Sequence, residues 1–213
     1  ISSVHGWERE FDNPVPEKSR QYLAMINGVR DCYRGVPLNT NVCLSNPRVR
    51  EKMARYIADY AEIQNNVDYL HIWLADYSNN HCECEACAAV DAEEGGHAGT
   101  VVRFVNAVAA RVKEVFPDKL VQAAAYQYSR RPVKSSYADN VLLELCPLEC
   151  DCAHPIATGR FGENIGFRED LAGWSKKAPR LYAMYQTVQV QVAAAKEVRV
   201  AQAALAKKPK DEA

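Results

Sequence analysis

Long amphipathic helices alternate along this chain with short apolar segments that have the composition of buried strands. Asn46-Pro47 opens the clearest helix, because Asn is a good N-cap and Pro is tolerated at the first helical position. Apolar residues then recur at helical spacing as far as Ile63. Residues 67–75 follow, with the length and the Val, Tyr, Leu, Ile and Trp content of a buried strand. Such alternation favours parallel strands joined by helical crossovers.

The same alternation continues further along the chain. Further helices are predicted over residues 99–116 and 163–177, and further strands over residues 120–126, 140–146 and 181–185. Near the start, the sequence predicts a strand end at residues 1–5 and a short helix over residues 17–26. The Cys- and Glu-rich stretch that precedes residue 99 is predicted to be a loop.

The predicted fold class is α/β, similar to a (β/α)₈ or TIM barrel but incomplete. A closed barrel typically takes about 250 residues, whereas this chain has 213 residues and roughly five predicted strands. An open doubly wound sheet is the rival, but no Gly-rich phosphate-binding motif follows any strand. We expect a partial barrel over residues 1–187 and an atypical helical, charged tail over residues 188–213.

Composition excludes several classes of protein. The chain has 26 Lys plus Arg against 27 Asp plus Glu, so it lacks the basic excess of a nucleic-acid-binding protein. It has no run of about 18 apolar residues, so no membrane span is predicted. Its first residues carry no Met and no signal peptide. We therefore expect the chain to be part of a longer protein.

Polar residues follow the predicted strands, where parallel α/β folds build their active sites. Carboxylates can act as acid, base or nucleophile, amides and His bind hydroxyls, and aromatic rings stack on sugars. The set therefore predicts a polyol-binding or hydrolytic face, although each residue alone could be a turn cap or a solvated charge. We predict Asp76 and Glu149 as the catalytic carboxyl groups. The predicted substrate-binding residues are His5, Asn80, Tyr126 and His154.

Three of the eight cysteines are closely spaced as Cys82-x-Cys84-x₂-Cys87. This spacing lets thiolates point at one centre, as a tetrahedral zinc site requires. The fourth ligand would be Cys43 or His81, and Cys43 gives a Cys₄ structural zinc site. Disulfides in an exported protein and reduced core or loop cysteines are the alternatives. No cofactor is predicted for catalysis, since no paired His ligands lie nearby.

Several segments resemble a bacterial glycosidase-like family long catalogued as a domain of unknown function, DUF4838. The most specific of them is LHIWLADYSNNHCECEAC at residues 70–87. Similar segments lie at residues 22–28, 43–47, 103–106, 124–128 and 149–155, and Trp174 lies in a matching helix. The resemblance covers roughly residues 3–182.

The resemblance implies a (β/α)₈ catalytic domain that is related to endo-β-N-acetylglucosaminidases and often follows an α-glucuronidase-like domain. It implies an exported bacterial glycoside hydrolase, extracellular or periplasmic, that acts on N-acetylglucosamine-containing or other complex glycans. Two departures from the sequence pattern of the family argue against activity of this chain by itself. The family's first strands are missing, and Ala183-Met184-Tyr185-Gln186 stands where an aromatic-Asp-Tyr strand end is usual.

Two other functions fit the same residues: a non-catalytic glycan-binding barrel and a metal-stapled structural module. Detectable turnover separates the enzyme from the binding protein, and glycan binding separates the binding protein from the structural module. An incomplete barrel also has open sheet edges, which template pairing with other chains. We therefore expect the chain to be marginally stable or to self-associate.

Overall fold

The computed structural model describes residues 17–64, 66–151, 153–160 and 162–183. In chain order its elements are α1 (Glu17–Arg20), β1 (Met25–Ile26), β2 (Val29–Arg30), α2 (Pro47–Ile63), β3 (Tyr69–Ile72), α3 (Glu85–Glu94), α4 (Ala98–Val115), β4 (Leu120–Ala125), β5 (Val141–Leu145), α5 (Gly162–Trp174) and β6 (Arg180–Ala183). Single turns of 3₁₀ helix occur at Tyr33–Gly35, Pro37–Asn39 and Gln127–Ser129. The predicted strand at residues 1–5, His5 and the tail 188–213 lie outside the described residues.

Strands β3, β4, β5 and β6 form a parallel sheet in that order. Helices α3 and α4 connect β3 to β4, and α5 connects β5 to β6, as parallel pairing requires crossovers of a dozen or more residues. Residues 126–140 join β4 to β5 with only the 3₁₀ turn. The predicted α/β class and its parallel sheet are confirmed. The described part of the chain has four parallel strands and no closed barrel.

The hydrophobic core lies between the helices and one face of this sheet. Alternate strand residues, such as Val121, Ala123 and Leu143, are buried in it, because successive side chains of a strand point to opposite faces. Phe104 of α4 and Trp174 of α5 are fully buried in the same core. Within the described ranges, no helix combines the length and the apolar character needed to cross a bilayer.

The helix predicted over residues 17–26 is much shorter, because it ends at Arg20. Leu23 instead forms an antiparallel bridge with Val42. Strands β1 and β2 then pair across the turn Asn27-Gly28, where φ is 51° and 77°. Helical spacing was thus overridden by tertiary pairing with a segment about 20 residues away along the chain.

The predicted Cys- and Glu-rich loop contains α3. This helix has no apolar stripe that would reveal it, since its buried residues are Cys87, Asp91 and Glu94. Glu94 is 3% exposed and lies 2.7 Å from Arg103. Gly95 ends the helix with a φ of 87°, a conformation that Gly adopts without strain.

The N-cap of α2 gives a test of the fold. Asn46 Oδ1 accepts hydrogen bonds from the backbone N–H groups of Arg48, at 3.0 Å, and Val49, at 3.5 Å. Asn46→Ala should lower the free energy of unfolding by about 1 kcal/mol in urea denaturation. Glu62→Ala, on the exposed side of the same helix, should change it by less than about 0.5 kcal/mol. Equal losses in both variants would contradict the cap.

Candidate metal centre and strand-end site

Four cysteines converge beside the first turn of α3. Cys43, Cys82, Cys84 and Cys87 are buried, and their sulfur atoms lie within 4.8 Å of one another. The Sγ atom of Cys43 is 3.6 Å from that of Cys84 and 3.8 Å from that of Cys87. Zinc bonds of about 2.3 Å in a tetrahedron place thiolate sulfurs about 3.8 Å apart. The cluster can therefore hold a metal ion.

Disulfide pairing and a His81 ligand are both less consistent with the geometry than a cluster of four thiols. The four are free thiols, and their sulfurs are well beyond the distance of about 2.05 Å in a disulfide. His81, the other candidate ligand, instead stacks on His97 with ring centroids 3.8 Å apart. Cys43 is thus the residue that completes the cluster.

Two segments far apart in sequence bring the thiols together. Cys43 follows the β-bridge at Val42, whereas the other three cysteines lie between β3 and the first turn of α3. The backbone N–H of Glu83 donates to the carbonyl of Met25 at 2.7 Å, so the β1–β2 hairpin lies against the cysteine loop. A metal ion in this cluster would bind the hairpin to the loop that follows β3.

Hydrogen-bond donors surround the Cys82 sulfur. It accepts from the Met25 backbone N–H at 3.3 Å and faces Arg30 Nη1 at 3.9 Å. Contacts with Cys43 and Cys87 lower the pKa of Cys82, and the contact with Cys82 raises the pKa of Cys43 to about 11. Arg30 supplies one positive charge, which is too little for four thiolates this close together, because like charges repel. A divalent metal supplies that cation.

Asn41, two residues before Cys43, holds the loop that carries Asp76. Its Oδ1 accepts from the Ala75 backbone N–H at 2.8 Å, and its Nδ2 donates to the Asn80 carbonyl at 2.7 Å. Asn41 is 4% exposed, so no competing water weakens these bonds. The loop is therefore fixed at Ala75 by an amide and at Cys82 by the thiol cluster.

Asp76, Tyr126 and Glu149 all lie beyond the carboxyl-terminal edge of the sheet. Asp76 lies four residues after β3, Tyr126 directly follows β4, and Glu149 lies four residues after β5. Burial raises the pKa of Tyr126, and the nearby Asp76, Cys146 and Glu149 raise it further. The Tyr126 phenol therefore lies within electrostatic range of both predicted catalytic carboxyl groups, which are themselves exposed.

Backbone strain is located at the same two strand ends. Tyr77, directly after Asp76, has a φ of 86°, and Gln127, directly after Tyr126, has a φ of 47°. Each non-glycine residue in such a conformation costs about 1–3 kcal/mol and persists only where its surroundings hold it. Asn27 and Arg34, which lie elsewhere, also have positive φ values of 51° and 52°, so this conformation is not confined to the predicted site.

Glu149 is held by an arginine. Its Oε2 lies 2.6 Å from Arg130 Nη1, and Arg130 Nε lies 2.8 Å from Asp170 Oδ2. Burial by itself would lower the pKa of Arg130, but the contacts with the two carboxylates raise it. Beside this pair lies an open cavity of about 370 Å³ lined by Gln127, Tyr128, Arg130, Arg131, Glu149 and Glu163.

The other predicted substrate-binding residues differ in burial and contacts. Asn80 is 0% exposed, and its Nδ2 donates to the carbonyls of Asn39 and Asp76. Its side chain therefore holds the Asp76 loop in this structure. His154 is about half exposed, and its Nδ1 is 2.6 Å from Asp151 Oδ2. His5 lies outside the described residues.

Sequence reasoning missed Glu144 in the middle of β5. This carboxyl is 2% exposed and accepts a hydrogen bond from Gln122 Nε2, which also contacts the Tyr182 hydroxyl. Burial first, and then the hydrogen bond to Glu144, raise the pKa of Tyr182. One signal was available: Glu144 is the only charged residue in the apolar strand Val141–Leu145.

The thiol cluster leads to a first test of the site. Purified protein should carry about one equivalent of metal, because four thiolates complete one tetrahedral site. Removal of the metal by a chelator or by acid should lower the melting temperature, since protons compete with the metal for thiolates. Elemental analysis and thermal denaturation measure both effects.

Cysteine variants sharpen that test. Cys43→Ser should abolish stoichiometric metal, whereas Cys32→Ser should retain it, because Cys32 is only partly buried and lies outside the cluster. Metal-free wild-type protein without titratable thiols would instead support disulfides.

The role of Asn41 is tested by amide exchange. Asn41→Asp replaces the Nδ2 donor with an oxygen that repels the Ala75 and Asn80 carbonyls, a change that costs about 1–3 kcal/mol. Hydrogen exchange of residues 75–80 should accelerate while metal content stays at the wild-type level. Asn66→Asp, in an exposed turn, should change neither. Unchanged exchange in Asn41→Asp would exclude this role.

Comparison with known proteins identifies the family. A family model described as Domain of unknown function (DUF4838) matches residues 4–196. No curated protein and no solved structure gives a significant match. The match spans most of the 213 residues, including the cysteine cluster and all three strand ends that carry Asp76, Tyr126 and Glu149. The chain therefore belongs to the DUF4838 family.

Proposed function

We propose that the protein is a glycoside hydrolase, or part of one, that acts on N-acetylglucosamine-containing or other complex glycans. One observation carries this proposal: Asp76, Tyr126 and Glu149 follow the carboxyl ends of three adjacent parallel strands. Most glycosidases need two carboxyl groups across the scissile bond. Tyrosine and the neighbouring amides supply hydroxyl-binding groups around them.

The contacts of the two carboxyl groups suggest different roles. Arg130 pairs with Glu149 and fixes its position, which suits a carboxylate that orients the substrate or stabilises positive charge. Within the described residues, Asp76 has no ion-pair partner, so it is the better group for proton transfer. In a substrate-assisted reaction the sugar's acetamido group is the nucleophile and one carboxylate orients it.

The sheet supports a place for this domain in a TIM barrel. Its strands follow one another in chain order, with crossover helices packed on one face, as in a (β/α)₈ barrel. Within the described ranges β3 and β6 each pair with one neighbour. We therefore propose that further strands complete the barrel, and that without them these edges promote self-association.

Zinc is the proposed occupant of the cysteine cluster. Four thiolates are typical of structural zinc, which has no open position for substrate or water. The metal would thus stabilise the fold and take no part in the reaction. An exported location is proposed with it, because the protein would meet complex glycans outside the cell.

A non-catalytic glycan-binding protein is the second candidate. The ion pair between Glu149 and Arg130 favours it, since this pair already occupies one oxygen of a predicted catalytic group. Turnover distinguishes the two candidates, because both would bind glycans.

The enzyme is tested by removing one charge at a time. Asp76→Asn and Glu149→Gln keep the size of each side chain, and each should lower turnover of an N-glycan substrate by about 100-fold or more. The melting temperature should stay near the wild-type value. The measurement is release of reducing sugar by the intact protein.

Glu62→Gln, an exposed carboxylate on α2, is the matched control and should leave turnover unchanged. Full activity of Asp76→Asn with a loss of stability would make Asp76 a turn residue. Glycan binding by wild-type protein without turnover of any substrate would favour the non-catalytic candidate.

A further inference from the structure

An open cavity of about 370 Å³ lies among the loops that follow β4 and β5. Its walls come from the 3₁₀ turn after β4 and the two arginines behind that turn, from the loop after β5, and from the first turn of α5. The described residues that line it are Gln127, Tyr128, Arg130, Arg131, Glu149 and Glu163. Small-molecule sites commonly have volumes of about 300–1,000 Å³, so this cavity is large enough for a small ligand.

Arg130 is anchored at this cavity by three contacts. Its Nε lies 2.8 Å from Asp170 Oδ2, and its Nη1 lies 2.6 Å from Glu149 Oε2. Its backbone carbonyl accepts a hydrogen bond from Trp174 Nε1 at 2.7 Å. Asp170 and Trp174 are both buried residues of α5, so the core of the protein fixes this wall. A wall that is already ordered lowers the entropy cost of binding a ligand.

Other polar groups of the cavity remain available to a ligand. Arg131 and Glu163 are exposed, and neither side chain forms an ion pair or a hydrogen bond within the described part of the chain. The contact of Glu149 with Arg130 engages Oε2, which leaves Oε1 as an acceptor. The cavity therefore presents one guanidinium donor and two carboxylate acceptors that are not satisfied by the described residues.

The charges around the cavity favour a neutral ligand. Its lining has two guanidinium groups and two carboxylates, and Asp170 adds a further carboxyl group behind Arg130. No excess of positive charge is therefore present to attract an anionic sugar. Hydroxyl and amide groups of a neutral sugar can accept from Arg131 and donate to Glu163. Tyr128, which is partly exposed, adds an aromatic side chain to the wall, and such a side chain can contact the apolar face of a pyranose.

We propose that this cavity is a subsite for a neutral sugar residue of the glycan, with Arg131 and Glu163 as the residues that bind its hydroxyl or amide groups. The subsite rests on the proposed function and deepens it, because Glu149 is both a predicted catalytic carboxyl group and part of the cavity wall. The bound sugar would adjoin the scissile bond, while Arg130 holds Glu149 in place. The subsite lies in the loops beyond the strand ends, where barrel enzymes bind their substrates.

Isothermal titration calorimetry of the full chain with N,N′-diacetylchitobiose, a neutral disaccharide, tests the proposal. Arg131→Gln and Glu163→Gln should each weaken binding by about tenfold, because each removes a charge-assisted hydrogen bond to the ligand. Both side chains are exposed, so the melting temperature should stay at the wild-type value. Arg55→Gln and Glu62→Gln, exposed on α2, are the matched controls and should bind as wild type does. Added salt should leave the Kd unchanged, because salt screens interactions between charges.

Several results would overturn the subsite. They are absence of binding at millimolar disaccharide, a wild-type Kd in both Arg131→Gln and Glu163→Gln, or tighter, salt-sensitive binding of a disaccharide that carries a carboxylate. Binding that depends on Arg131 and Glu163, in a protein that hydrolyses no glycan, would support the subsite and contradict the proposed hydrolase. Hydrolysis with a wild-type KM in both variants would support the hydrolase and overturn the subsite.

Discussion

Parallel pairing of β3, β4, β5 and β6 is the constraint on which the rest of this structure depends. Parallel strands need long crossovers, and these crossovers bring every strand to its carboxyl end at the same edge of the sheet. The loops that carry Asp76, Tyr126 and Glu149 therefore meet in space although up to 73 residues of chain separate them. The same pairing divides each strand into a face buried under helices and a face left to polar chemistry.

A parallel sheet positions the strand ends but does not fix the loops beyond them. The loop after β3 is fixed by Asn41 and by the cysteine cluster, which hold its backbone on either side of Asp76. Both belong in part to the segment that precedes α2, so that segment is bound twice to the same loop. This double attachment accounts for the positive φ of Tyr77, because local strain persists only where the surrounding contacts over-determine the backbone.

The buried polar groups of the sheet follow another rule. Glu144, Gln122 and Tyr182 belong to three adjacent strands and satisfy one another in part. A core designed only for stability would place apolar residues there, since unpaired buried charge is destabilising.

Much of this arrangement was available from the sequence. Hydrophobic periodicity and the Asn46 cap predicted α2, the apolar runs predicted all four parallel strands, and the spacing of Cys82, Cys84 and Cys87 predicted one thiol centre. Each of these features lies within a short stretch of sequence, so it can be recognised without the tertiary structure. Helix α3 was not predicted from the sequence, because its buried side chains include acids and a thiol in place of an apolar stripe.

Other features were decided by the tertiary structure, because they depend on contacts that a short stretch of sequence does not contain. It selected Cys43 as the fourth thiol, 39 residues before Cys82, and it buried Asn80, which was predicted to bind substrate. It also brought Gln122, Glu144 and Tyr182 into contact across three strands. Each of these outcomes depends on the distance between residues far apart in the chain, which is set by how the helices pack on the sheet and by the register of its strands.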